Sequence, residues 1–195
     1  MIDVRLPDHP LVNKARSIAE KAHKGQKRKF GNVDFIIHPL RVAASISSVL
    51  ELDASIQDER YTAIAAALLH DTLEDTNIQL NAFEVFNSIR EGATSEILAI
   101  VLDLTANHEL KGTRIWRKFA MINQIKKAAP LSQLIKLADR LDNLQDFAKQ
   151  DPEFIKKVYG KESLDLLEAC KTLDVSVYSS SYRLYSNKIK DLLDV

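Results

Sequence analysis

The chain has 195 residues, with 27 basic and 27 acidic side chains and a formal net charge of zero. Hydrophobic and charged fractions of 46% and 28% are those of a globular protein long enough to bury a core. This balance argues against a disordered or fibrous chain and against a globally basic nucleic-acid binder. Cys170 is the only cysteine, which excludes an intramolecular disulfide and a cysteine-built zinc cage and fits a reducing cytoplasm. Met1 to Pro10 lacks the apolar run of a signal peptide. The longest apolar run, Ala63 to Leu69, is too short to span a bilayer.

Apolar residues recur at helical spacing along most of the chain. Leu11, Ala15, Ile18, Ala19 and Ala22 form a first stripe, with Asp8 as its expected N-cap and Gly25 as its end. His38-Pro39 opens a second helix through Leu50, since proline is tolerated in a first turn. A third runs from about Asp58 into His70. Ile64 to Leu69 are apolar on every side of it, which predicts a central, buried helix. Asn81 and Glu84 resemble a capping box for a fourth helix ending near Gly92. Thr94 or Ser95 caps a fifth through Leu104, and Arg114 to Ala128 forms a sixth, stopped by Pro130. Ser132 to Phe147 is a seventh, with Leu134, Leu137, Ala138, Leu141 and Leu144 facing inward. Asp151-Pro152 starts another helix, and Ser176 to Leu193 forms the last. Alternating strand patterns and Asn-Gly or Asp-Gly hairpin turns are missing. The expectation is an all-α fold, with residues 1–195 as one domain.

The pair His70-Asp71 ends the most apolar helix. An ionisable pair at a buried position needs compensation, and a divalent metal supplies it through imidazole nitrogen and carboxylate oxygen. The plainer alternative is a histidine on the last helical carbonyls beside a solvated aspartate. Glu74 and Asp75 follow one turn later, so continued helical geometry would put three acids and a histidine on one side. Such acid density repels itself unless a cation is present. Asp139 lies three residues after Lys136 and four before Asn143 on the seventh helix, where a ligand and a salt-bridged carboxylate are both open readings. His38 precedes Pro39, which pushes its backbone towards an extended form at a helix start. His23, four residues after Ala19, reads as structural or as support for a site rather than as a ligand. Lys21, Lys24, Lys27, Arg28 and Lys29 make the densest basic run, entering the loop from Gly25 to Gly31. Such a run suits a polyphosphate, or equally a solvated face. A Walker A loop, dinucleotide fingerprint, nucleophile elbow and His-Glu-x-x-His motif are all missing.

Four segments together resemble the hydrolase domain of the RelA/SpoT alarmone family, a branch of the HD-domain phosphohydrolases. They are Ala22-His23-Lys24-Gly25-Gln26-Lys27-Arg28-Lys29, Phe35-Ile36-Ile37-His38-Pro39-Leu40-Arg41-Val42-Ala43, the run Ala66 to Thr76 around His70-Asp71, and Lys136 to Asn143. They occur in the family's order. The resemblance implies an α-helical HD fold with manganese held by His38, His70, Asp71 and Asp139. It implies that Glu74 and Asp75 orient or deprotonate the attacking water. Arg28 and Lys29, with Lys24 nearby, would meet the nucleotide base and phosphates, and Asn143 the nucleoside. The implied reaction removes pyrophosphate from the 3′ position of guanosine tetra- or pentaphosphate, leaving GDP or GTP. Since 195 residues leave no room for the family's synthetase domain, the resemblance points to a stand-alone small alarmone hydrolase in the cytoplasm.

Three departures stand out. Phe35 replaces the family's usual tyrosine, Asp142 stands where histidine or tyrosine is commoner, and the stretch after Thr105 lacks the usual pattern. These bear on base selectivity rather than on the metal. The alternatives are a ppApp hydrolase, an NADPH phosphatase, or a non-catalytic module that binds an alarmone. Neither a membrane nor a nucleic acid is an expected partner, and a homodimer is left open.

Overall fold

The computed structural model describes residues 4–29, 32–51, 57–76, 93–106, 112–148, 153 and 155–194. The expected fourth helix and the Asp151-Pro152 helix start lie outside the described residues. Most of the described residues are helical, and none of them forms a strand. An isolated antiparallel bridge joins Lys27 to Asp34. The chain divides into two compact units, Met1–Thr105 and Ala106–Val195.

In the first unit, α1 (Pro10–Ala22), α2 (Ile37–Leu50) and α5 (Ala93–Leu104) pack on α3 (Gln57–Leu69). The short α4 (Thr72–Asp75) follows α3. Ala63 to Leu69 are completely buried, as an apolar helix surrounded by neighbours must be. Each large side chain there contributes about 1.5–3 kcal/mol by leaving water. Helix α1 turns Leu11, Val12, Ala15 and Ala19 inward.

Several helix starts differ from expectation. The cap of α1 is His9, not Asp8: Pro10 holds His9 in an extended conformation, and His9 Nδ1 accepts from Leu11 N. Asp8 instead accepts from Asn13 Nδ2 at 2.8 Å. Helix α2 opens at Ile37, ahead of His38-Pro39. The turn before it already bonds Ile37 N to Asp34 O and His38 N to Phe35 O. Pro39 therefore falls in the first turn, where a missing N–H costs nothing. That turn overrides the extended bias on His38. Helix α5 begins at Ala93, so Thr94 and Ser95 lie within it.

The second unit contains α6 (Arg114–Lys127), α7 (Pro130–Ala148), a π-helical turn (Ile155–Gly160), α8 (Lys161–Ala169), a 3₁₀ turn (Lys171–Val175) and α9 (Ser179–Leu193). Helix α7 packs against α9 and α6, and α8 against α6. It begins at Pro130, so that proline starts a helix as well as closing the one before it. Its inward stripe of Leu134, Leu137, Ala138, Leu141 and Leu144 is buried as expected, and α9, which packs on it, buries Tyr185 and Ile189. Ser176 caps the 3₁₀ turn, and α9 starts three residues later. No helix among the described residues is long and apolar enough to cross a membrane.

Candidate metal centre

The site begins where α3 stops. His70 Nδ1 lies 2.8 Å from the Ala67 carbonyl oxygen, and Thr72 Oγ1 donates to the Leu69 carbonyl at 2.6 Å. A carbonyl only accepts, so Nδ1 carries the proton and the Nε2 of a neutral His70 presents its lone pair. The first turn of α2 delivers His38. Its Nε2 stands 3.4 Å from Asp71 Oδ2, and His70 Nε2 stands 3.2 Å from the same oxygen. The two imidazole rings meet edge to face at 5.1 Å. One ligating atom from each of His38, His70 and Asp71 falls within 4.8 Å of the others.

Both imidazoles are 1% exposed and the Asp71 side chain 18%, so the group opens outward only through its carboxylate. Burial alone would raise the Asp71 pKa. The His70 and His38 imidazoles, when they carry a proton on the Nε2 atoms facing Asp71, outweigh it and hold the carboxyl well below the usual carboxylate range; a bound cation would take the place of those protons. Two imidazole nitrogens and an ionised carboxylate, with one ring fixed by a backbone carbonyl, are a donor set that fits a divalent transition metal.

Glu74 and Asp75 follow on α4, whose turn closes through Asp75 N to Asp71 O at 2.9 Å. They stand outside the three-residue group: Glu74 is half-buried and Asp75 exposed. The break at His70-Asp71, between α3 and α4, separates them from the continuous helical face that the spacing predicts.

The basic loop reaches the same unit through Phe35. The Arg28 guanidinium carbon lies 5.6 Å from the centroid of the Phe35 ring. Phe35 also stacks on His23 at 4.7 Å and meets His38 edge-on at 5.9 Å. Backbone bonds Arg28 N to Val33 O and Phe35 N to Gln26 O, with the Lys27–Asp34 ion pair at 2.6 Å, hold the flanks of this loop together. Lys24 and Lys29 are exposed on it.

Asp139 and Asn143 belong to the second unit. There Asp139 is buried, its Oδ2 lies 2.9 Å from Lys136 Nζ, and its Oδ1 accepts from Asn143 Nδ2 at 2.5 Å. The spacing of three and four along α7 therefore makes one charged, hydrogen-bonded group of these residues.

Against known proteins, the model of the HD-domain family matches residues 15–169. The chain belongs to the HD-domain family. MESH1 of Homo sapiens, a guanosine-3′,5′-bis(diphosphate) 3′-pyrophosphohydrolase, is 34% identical over 140 residues, which are 71% of this chain and 70% of MESH1. The chloroplastic RSH1 of Arabidopsis thaliana is 33% identical over 163 residues, and there the match spans only 17% of the relative. A solved structure described as a metazoan orthologue of SpoT that hydrolyses ppGpp aligns with a TM-score of 0.69 at 23% identity. That alignment covers 94% of this chain and 98% of the other, and it bears on the fold.

In this HD-domain chain, three of the four expected metal ligands converge within one unit: His38, His70 and Asp71. Two contributions escaped the sequence reading. Phe35 is a ring shared by His23, His38 and Arg28. Gln26 connects His23 to the backbone of Asp75. Both lay inside motif segments, but nothing in their residue types announced these partners, and that of Gln26 lies 49 positions away.

Proposed function

We propose that this chain is a metal-dependent hydrolase that removes the 3′-pyrophosphate of guanosine tetra- or pentaphosphate. The observation carrying this reading is the single Asp71 oxygen lying between the Nε2 atoms of His38 and His70. The similarity to MESH1 over most of both chains supports the choice of substrate.

In this reading His38, His70, Asp71 and Asp139 hold the cation, and their mixed nitrogen and oxygen donors suit Mn²⁺. A bound divalent cation lowers the pKa of water towards neutrality and screens phosphate charge. Glu74 or Asp75 receives the proton of the attacking water. Glu74, half-buried and one turn beyond Asp71, is the better placed along α4. Arg28, steadied on Phe35, together with Lys24 and Lys29 meets the nucleotide, and Asn143 the nucleoside. The water oxygen bonds to the phosphorus attached at the ribose 3′ oxygen, that P–O bond breaks, and the ribose oxygen takes a proton. The products are pyrophosphate and GDP or GTP. Nothing in the reaction calls for a membrane or a nucleic acid, and the single buried thiol of Cys170 fits a reducing cytoplasm.

The test is a panel of ppGpp, ppApp and NADPH with Mn²⁺, with and without chelator. Pyrophosphate from ppGpp, abolished by the chelator, is the expected result. Inorganic phosphate from NADPH alone would instead make the chain an NADPH phosphatase, and tight ppGpp binding without turnover a binding module.

A further inference from the structure

His23 is 2% exposed, at the C-terminal end of α1. Its Nδ1 lies 2.8 Å from Gln26 Oε1, and Gln26 Nε2 lies 2.7 Å from the backbone oxygen of Asp75. The second contact fixes the first. The Asp75 carbonyl can only accept, so the Gln26 atom facing it is the NH₂ group and the atom facing His23 is the amide oxygen. That oxygen also only accepts, so His23 Nδ1 must carry the ring proton. His23 Nε2 is left as a bare acceptor. It is buried and has no hydrogen-bond partner among the described residues. A buried acceptor in this condition costs free energy unless something donates to it.

Its surroundings narrow what that donor is. Phe35 stacks on the His23 ring and also meets the edge of His38, so His23 and a metal-centre histidine share one aromatic neighbour. Burial is the main influence keeping His23 uncharged. The hydrogen bond with Gln26 and, after it, the Asp71 carboxylate pull the other way, and the His70 and His38 imidazoles reinforce neutrality, so all three members of the cluster act on this ring. A neutral imidazole with Nδ1–H engaged and Nε2 bare recognises a small donor, and water is the donor that hydrolysis requires.

We propose that His23 is a positioning residue whose Nε2 accepts a hydrogen bond from the water used in hydrolysis. Its Nδ1–H, through Gln26, ties that water to the backbone of the turn carrying Glu74 and Asp75. The proposal rests on the hydrolase reading and deepens it. It explains why an amide at position 26 bridges 49 residues to a main-chain oxygen.

Two isosteric substitutions separate this role from a purely structural one. In His23→Asn the side-chain amide overlays Nδ1 and keeps a donor towards Gln26, but nothing remains at Nε2. In His23→Gln the amide oxygen overlays Nε2 and keeps the acceptor, while the bond to Gln26 is lost. The proposal expects H23N to lose about 10–100-fold in kcat at nearly unchanged KM, a size usual for residues supporting a metal site. H23Q is expected to recover the larger part of that loss. The opposite ranking, with H23N active and H23Q impaired, would overturn it. A readout independent of turnover is the ring itself: long-range ¹H–¹⁵N correlation on the labelled wild-type protein, with the His23 signal identified by its loss in H23N. An Nδ1–H tautomer with unprotonated Nε2 is expected, and an Nε2–H tautomer overturns the proposal. If the wild type fails to release pyrophosphate from ppGpp, the hydrolase reading falls by that assay alone, and the tautomer still decides whether His23 offers an acceptor.

Discussion

His70 Nδ1 lies 2.8 Å from the carbonyl oxygen of Ala67, three residues earlier on the same helix. The contact spends the ring proton on a backbone acceptor and turns Nε2, 3.2 Å from Asp71, into a lone-pair donor. A histidine held this way is set up before any cation arrives, which lowers the ordering cost of binding. Mn²⁺ should therefore raise the melting temperature of the wild-type protein in a concentration-dependent way, by about 2.7 kcal/mol of stability at a hundredfold excess over Kd. His70→Ala and His38→Ala should each remove that rise in a thermal-shift titration. A full Mn²⁺-dependent shift in both variants would place the cation elsewhere.

Asp71 and Glu74 should separate cleanly in their effects. Asp71 supplies the one oxygen shared by both imidazoles, so Asp71→Ala should lose both bound manganese and pyrophosphate release. The far-UV circular dichroism should stay helical, because the side chain lies outside the apolar core of α3. Glu74 stands outside the ligand group, so Glu74→Gln should keep its manganese, measured by elemental analysis of the desalted protein. Its turnover should fall by about 10²–10⁴-fold, the usual contribution of a proton acceptor. Normal turnover in Glu74→Gln would move the role of base to Asp75.

Phe35 makes three ring contacts at once, with His23, His38 and the Arg28 guanidinium. Phe35→Leu keeps apolar bulk but removes the aromatic face on which Arg28 rests. An exposed cation–π contact is worth about 0.5–1 kcal/mol, so KM for ppGpp should rise roughly two- to fivefold with less change in kcat. Phe35→Tyr keeps all three ring contacts and adds the hydroxyl that the family resemblance leads one to expect there. It should leave KM near the wild-type value for ppGpp, while the ratio of ppGpp to ppApp turnover shows whether that hydroxyl sets base preference.

Much of this was legible because helices follow local rules. The 3.6-residue period located α1, α3 and α7, and the all-round apolar run from Ala63 to Leu69 marked α3 as central. The starts were read less well. At Asp8 and His38 the sequence offered a plausible cap and a pre-proline bias. Which of two neighbouring residues wins depends on hydrogen bonds such as Asp8 to Asn13 and His38 N to Phe35 O, and those are made only once the loop has folded. The metal site divides in the same way. His70-Asp71 declared itself as an ionisable pair ending an apolar helix. Its meeting with His38 entered through family resemblance, because spacing along a chain carries no distance between separate helices. Gln26 went unread for the same reason: its partner oxygen belongs to the backbone of Asp75, and every residue has one.

The lone cysteine offers a check on the second unit. Cys170 is completely buried at the end of α8, and its N–H donates to the Leu166 carbonyl at 3.0 Å. Burial pushes its thiol up to about 12. At pH 8 the thiolate fraction is then roughly 10⁻⁴, against about a quarter for an ordinary cysteine of pKa near 8.5. Native protein should react with a disulfide reagent at least about a thousandfold more slowly than a free thiol, and exclusion of the reagent slows it further. The same protein in guanidinium should titrate promptly as a single thiol. Prompt labelling of the native protein would show that the junction of α8 and the 3₁₀ turn opens readily. Leu166, Leu167 and Leu173, buried around it, would then contribute little to the stability of this unit.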